Sequence, residues 1–129
     1  MTHRKAAAVA WTPSGTEHFT GEVRSGPLHA PHDPADLNVL AVAFAPGARS
    51  DWHTHPGGQV LYVVSGTAWV QAEGEATVAA HPGDAVHAAA GVIHWHGAAP
   101  EAPMVHLSIT HGGPTEWLAR KVTDDEYRR

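Results

Sequence analysis

The sequence predicts an all-β fold, an antiparallel sandwich or barrel, and three observations carry that reading. Short runs rich in Val, Ile, Trp and Tyr recur at close spacing from Leu37 onward, each bounded by turn residues. The segments between them show no helical period. Thirteen glycines and ten prolines are spread along the whole chain, which suits many strands joined by turns better than long helices. At 129 residues the chain is long enough for one domain with one core.

Residues 1–36, rich in Pro, Gly, His and Asp, read as an arm or loop region draped on the body, with one short strand at His18–Val23. Residues 37–129 form the body. Its strands are predicted at Val39–Phe44, Gln59–Val64, Thr67–Ala72, Ala76–Ala80, Ala85–Ala88, Ile93–Gly97 and Met104–Thr110. Ser65-Gly66, Glu73-Gly74-Glu75 and His81-Pro82-Gly83 mark the turns. After Gly112-Gly113-Pro114, one or two helical turns are predicted over Thr115–Lys121. A second short helix, capped by Thr123, is predicted over Thr123–Arg129.

Composition excludes several functions. Eight Lys+Arg against thirteen Asp+Glu leave a net charge of −5, so a nucleic-acid or anionic-membrane partner is not expected. With no cysteine there is no disulfide scaffold, thiolate zinc site, iron–sulfur cluster or cysteine nucleophile. The apolar stretch Ala6–Trp11 is too short for a signal peptide, and no run reaches transmembrane length. A soluble cytoplasmic protein is the expectation.

Twelve histidines in so small a chain need a reason, and their spacing supplies one. Strand residues two apart share a face. His53 with His55, His94 with His96, and His106 with Ser108 and Thr110 therefore make three polar strand faces. One such face would be ordinary polar-out alternation. Three point to a shared polar interior, with Val105, Leu107 and Ile109 as the packing surface of the last strand. His3, His18, His29, His32, His81 and His111 read as solvated, and His87 is open to either face. Trp95 has the opposite parity to His94 and His96, so it should face outward and contact another subunit.

Two segments stand out. Gly47 is followed by His53, His55 and Gln59, closing on Gly66; Gly83 is followed by Gly91 and His94. They resemble the two motifs of the cupin superfamily. That implies an antiparallel jelly-roll-like β-barrel, with the helical segments confined to its C-terminal end. Gln59 stands where most cupins carry Glu, Ala89 where the family has Pro, and Ala98 where it often has Asn. The resemblance implies one divalent metal held by His53, His55, Gln59 and His94, with open positions for water or substrate. Four neutral donors would leave the ion's charge uncompensated, favouring redox-neutral polarisation over oxygen activation.

A narrower resemblance, to the small manganese-dependent cupin hydroxynitrile lyases of bacteria, covers nearly the whole chain. It rests on Trp52-His-Thr-His-Pro56, Gly58-Gln59, His94-Trp-His-Gly-Ala-Ala-Pro100, His106-Leu107 and the tail from Val122. It implies manganese, though Fe, Co, Ni or Zn fit the same spacing, and it implies active-site roles for His96 and His106. His106 is expected as the base that takes a cyanohydrin hydroxyl proton, or as a satisfied interior histidine. His96 orients substrate, protonates departing cyanide, or supports a ligand ring. Leu40, Val42 and Phe44 share a strand face that lines a substrate pocket or simply packs the core, and Thr110 reaches the same cavity. The partners expected are a small-molecule substrate and copies of the chain in a homo-oligomer, dimer or tetramer. Competing readings are a metal-dependent dioxygenase on a small aromatic or diketone, a non-catalytic small-molecule-binding barrel, and a decarboxylase or isomerase.

Overall fold

The structure, a computed structural model, describes residues 1–128. Its strands are β1 (Thr12–Pro13), β2 (Phe19–Thr20), β3 (Val23–His29), β4 (Asn38–Phe44), β5 (Arg49–Ser50), β6 (His53–Thr54) and β7 (Gln59–Ser65). They continue with β8 (Ala68–Ala72), β9 (Val78–Ala80), β10 (Ala85–Ala88), β11 (His94–Ala98), β12 (Met104–Thr110) and β13 (Glu116–Trp117), before one turn of helix, α1 (Asp124–Tyr127). All pairings are antiparallel. One sheet runs β1-β3-β4-β12-β7-β10; in the other, β11 is central, with β8 on one edge and the short β5 and β6 on the other. The two sheets make the expected β-barrel. Among the described residues no helix is long and apolar enough to cross a membrane.

All seven body strands form within a residue or two of their predicted bounds. Within residues 1–36 the chain makes β1, β2 and β3 rather than a single strand, because Gly21 at φ 81° breaks the run between Thr20 and Val23. Thr115–Lys121 is not helical. Glu116–Trp117 pairs with Thr54 and His53 instead, since the open edge of β6 offers hydrogen bonds that a short isolated helix could not match. Thr123 caps α1 as predicted: Glu126 N donates to its hydroxyl and Glu126 Oε1 accepts from its backbone N–H. The last residue of that predicted helix, Arg129, lies outside the described residues.

The interior divides into an apolar half and a polar half. Val23, Phe44, Leu61, Val63, Val70 and Met104 form the main core. On β12 the buried side is Met104, His106, Ser108 and Thr110, while Val105, Leu107 and Ile109 face outward and are half-buried. The polar face is thus inward, as the shared polar interior requires, and the apolar face is the outer, half-buried one.

Trp95 also departs from expectation. It does face away from the histidines, yet it is 0% exposed, because the C-terminal segment folds over it. Trp52, Val122 and Tyr127 pack with it in a second small core, and its Nε1 donates to Gln71 Oε1 at 2.9 Å. It carries no argument about subunits. Arg49 fastens the covering segment by donating to the Val122 carbonyl at 2.8 Å and to Asp124 at 2.8 Å, and Tyr127 Oη donates to the Ala98 carbonyl at 2.6 Å. Gly97 lies where β11 meets β5, and a Cβ there would run into the Ala48 carbonyl. Trp95→Ala should cost about 3–5 kcal/mol, the usual range for emptying a buried aromatic site. Urea unfolding of the variant checks it, and a loss below 1 kcal/mol would contradict the packing described.

Candidate metal centre

Strand pairing brings the histidines together. His53 on β6 sits directly opposite His94 on β11, and their ring centroids are 4.4 Å apart. His55 follows β6 with its ring 5.0 Å from that of His53 and 5.7 Å from that of His94. The turn at Pro56-Gly57-Gly58, with Gly58 at φ 83°, sends the chain into β7 so that Gln59 comes first and faces inward. Gln59 Oε1 lies 2.8 Å from His94 Nε2, and its Nε2 donates to Ser108 Oγ at 2.8 Å.

Two backbone carbonyls bear on the tautomers. His53 Nδ1 is 2.8 Å from the Asp51 carbonyl and His94 Nδ1 is 2.9 Å from the Val92 carbonyl. A carbonyl only accepts, so His53 carries its proton on Nδ1 and turns an Nε2 lone pair inward. His94 has an acceptor at each nitrogen, and its Nε2 is bare towards Gln59 in the state whose proton sits on Nδ1. His55 Nε2 is buried without a partner. Burial is the main reason that the imidazoles stay uncharged. It holds His53 well below the ordinary imidazole range, with the neighbouring His94 adding to the effect; it lowers His94; and it brings His55 down to about 4. Gln59 opposes the shift at both His53 and His55, which places its amide among all three rings. Several acceptors, no acidic residue in the cavity lining and an orphaned Nε2 fit a divalent cation.

A second grouping is possible. Single ligand atoms of His53, His94 and His96 all lie within 4.8 Å of one another, a set that omits His55. His96 Nδ1 lies 2.9 Å from His106 Nε2, an arrangement that leaves Nε2 for a metal just as the Nδ1 bonds of His53 and His94 do. These hydrogen bonds therefore do not choose between the two sets. The buried, partnerless Nε2 of His55 is the observation on the side of His55.

A cavity of about 80 Å³ adjoins the cluster, walled by Phe19, Leu40, Val42, Trp117 and His96, with Ser108 and Gln59 at its polar side. Leu40 and Val42 thus reach the predicted pocket. Phe44 packs its ring 5.8 Å from that of His96 and 5.2 Å from that of His106, backing this pair instead of lining the cavity. Thr110 is buried opposite Gln59 but is not in the lining, and His106, 0% exposed, stands behind His96. Both rings of the pair are kept neutral by burial, His106 down to about 4. Sequence reasoning missed Phe19 and Trp117 as lining residues: Phe19 falls in the strand predicted at His18–Val23, where nothing aimed it at the site, and Trp117 falls in the segment predicted as helix. His18 is half-buried rather than solvated, stacked on Trp117 at 4.3 Å. His3, His29, His32, His81, His87 and His111 are exposed. A larger hollow of about 740 Å³ beside the N-terminal segment shares no residue with the histidine cluster.

The barrel and its inward histidines define a cupin, and comparison with known proteins agrees. The chain belongs to the cupin family: the model of that domain matches residues 40–110. An (R)-mandelonitrile lyase from Granulicella tundricola is 49% identical over 132 aligned positions, covering all of both chains. A crystal structure of a cupin-like protein from Thermotoga maritima superposes with a TM-score of 0.86 at 40% identity, over 91% of this chain and 90% of that one. A polyketide cyclase from Streptomyces resistomycificus shares the fold alone, with a TM-score of 0.71 at 18% identity over 99% and 91% of the two chains.

Two outcomes follow from the geometry. His55→Ala should purify with little bound metal and His96→Ala with the wild-type amount, as measured by elemental analysis; the reverse result would favour the His53, His94 and His96 set. In the metal-free protein, unfolded chains bind protons on these imidazoles near pH 6.5, whereas His55 and His106 in the folded chain resist until about 4. Stability should therefore be fully present above pH 6.5 and fall steadily towards pH 4. Urea midpoints across that range measure it, and a flat profile would count against the buried neutral cluster.

Proposed function

We propose that this chain is a metal-dependent carbon–carbon lyase that cleaves or forms cyanohydrins, with His53, His55, Gln59 and His94 holding one divalent cation, manganese by resemblance. The observation that carries the reading is the convergence of uncharged acceptors from β6, β7 and β11 beside an apolar-walled cavity. The full-length relative named (R)-mandelonitrile lyase supports the choice of reaction. When bound, the cation supplies Lewis-acid polarisation of a substrate oxygen, its charge undiminished because every donor is neutral.

Cleavage moves one proton. It leaves the hydroxyl as the bond to cyanide breaks and the carbonyl forms, and it ends on the departing cyanide. His96 is the imidazole in the cavity wall, and its Nδ1 shares a hydrogen bond with His106 Nε2. When His96 Nδ1 donates, its Nε2 offers a lone pair for the hydroxyl proton. When His106 Nε2 donates, His96 Nε2 carries the proton and can give it to cyanide. The base role expected of His106 thus passes to the pair, with His96 touching substrate and His106 setting its tautomer. Phe19, Leu40, Val42 and Trp117 suit the hydrocarbon part of the substrate.

Elemental analysis of the purified protein, followed by cyanide release from mandelonitrile, tests this reading. Wild type should hold about one divalent ion per chain and release cyanide. His96→Ala should keep its metal and lose roughly 10²–10⁴-fold in kcat, the usual share of a proton-transfer group. Zinc-substituted protein should retain turnover, which an oxygen-using enzyme would lose. Protein without metal, or loaded protein that leaves mandelonitrile intact, would overturn the proposal.

A further inference from the structure

Gln59 raises a question that a glutamate would not. A carboxylate has two equivalent oxygens, but an amide has one useful end. If the NH2 faced the cluster it would donate to the inward lone pair of His94, whose Nδ1 proton is already committed to the Val92 carbonyl. That arrangement satisfies the empty site and competes with a cation. For Oε1 to face the rings, the NH2 of Gln59, which is 3% exposed, needs an acceptor on its other side. The acceptor is Ser108 Oγ, 2.8 Å away on the inward face of β12.

We propose that Ser108 is a positioning residue: by accepting from Gln59 Nε2 it satisfies the buried NH2 when the amide oxygen is turned towards the histidines, and so raises the affinity of the chain for a divalent cation. This rests on the reading above that Gln59 is a metal donor. The inward polarity of β12, which looks wasteful in a small barrel, gains a purpose at this position.

The test is competition for Mn²⁺ between a chelator and the metal-free protein, with Zn²⁺ as a second probe. Ser108→Ala should weaken binding by about 10–100-fold, the range found when a partner that orients a ligand is lost. Ser108→Thr and Ser108→Val share a shape and differ in the hydroxyl, so they decide the matter even if the alanine variant folds poorly. Thr should bind near wild type and Val should bind like Ala. Wild-type affinity in both Ser108→Ala and Ser108→Val would overturn the proposal. Gln59→Ala separates the two ideas. Weak binding there with normal binding in the Ser108 variants refutes the positioning role alone, whereas wild-type binding in Gln59→Ala refutes the donor set as well.

Discussion

The hydrogen bonds from two histidine rings to their own backbone set the rest of the site. His53 and His94 each donate from Nδ1 to the carbonyl two residues earlier, Asp51 and Val92. Those bonds are local, so they form wherever the chain takes this extended path, and a ring that donates through one has its Nε2 bare. Because β6 and β11 pair with His53 opposite His94, the two bare nitrogens share one space. A ring with its proton on the other nitrogen would bring an N–H to the centre and close the site to a cation. The fold therefore specifies chemistry through tautomers as well as through ligand distance.

Gathering lone pairs in a barrel interior is costly, and the surrounding structure is built to bear it. His106 Nε2 and His96 Nδ1 share a hydrogen bond, with His106 Nδ1 left without a partner, Gln59 uses Ser108, and Ser50 Oγ accepts the backbone N–H of His96. The polar half of the interior leaves less room for an apolar core, and the C-terminal segment compensates from outside. Trp95, on the reverse of the strand that carries His94 and His96, is sealed by Trp52, Val122 and Tyr127. Arg49 on β5, cross-strand from Gly97, ties that seal to the strand edge. A strand bearing polar groups inward is thus held by an aromatic cluster outward, and stability and site geometry share β11.

Much of this was legible in the sequence, for physical reasons that differ by element. The body strands could be placed because β-branched and aromatic runs between glycine turns reflect local preference. The pairs His53 with His55 and His94 with His96 could be placed because strand parity is a fixed geometric rule. What failed depends on partners distant in the chain. Glu116–Trp117 is a strand only because the edge of β6 is open, and Trp95 is internal only because residues 122–127 return to cover it. For β12, parity sorted the side chains into two faces, and the match with the other two histidine-bearing strands put the polar face inside, where hydrophobicity alone would have put the apolar one. Phe19 lay in a predicted strand and Trp117 in a predicted helix, and neither could be aimed at the site without the pairing of β2 with β5 and of β13 with β6.

The distinction between Gln and Glu at position 59 carries the final step. Buried imidazoles here are neutral because burial disfavours their charged form, with His94 adding to the effect at His53. A carboxylate among them would oppose that shift, since an opposite charge a few ångströms away favours protonated imidazole. An amide brings an oxygen of useful polarity without that attraction. Its drawback is orientation, since its other end is a donor that fits the same lone pairs. An amide therefore needs a partner for its NH2 where a carboxylate needs none, and the inward hydroxyl of Ser108 on β12 is within hydrogen-bond reach of it across the barrel.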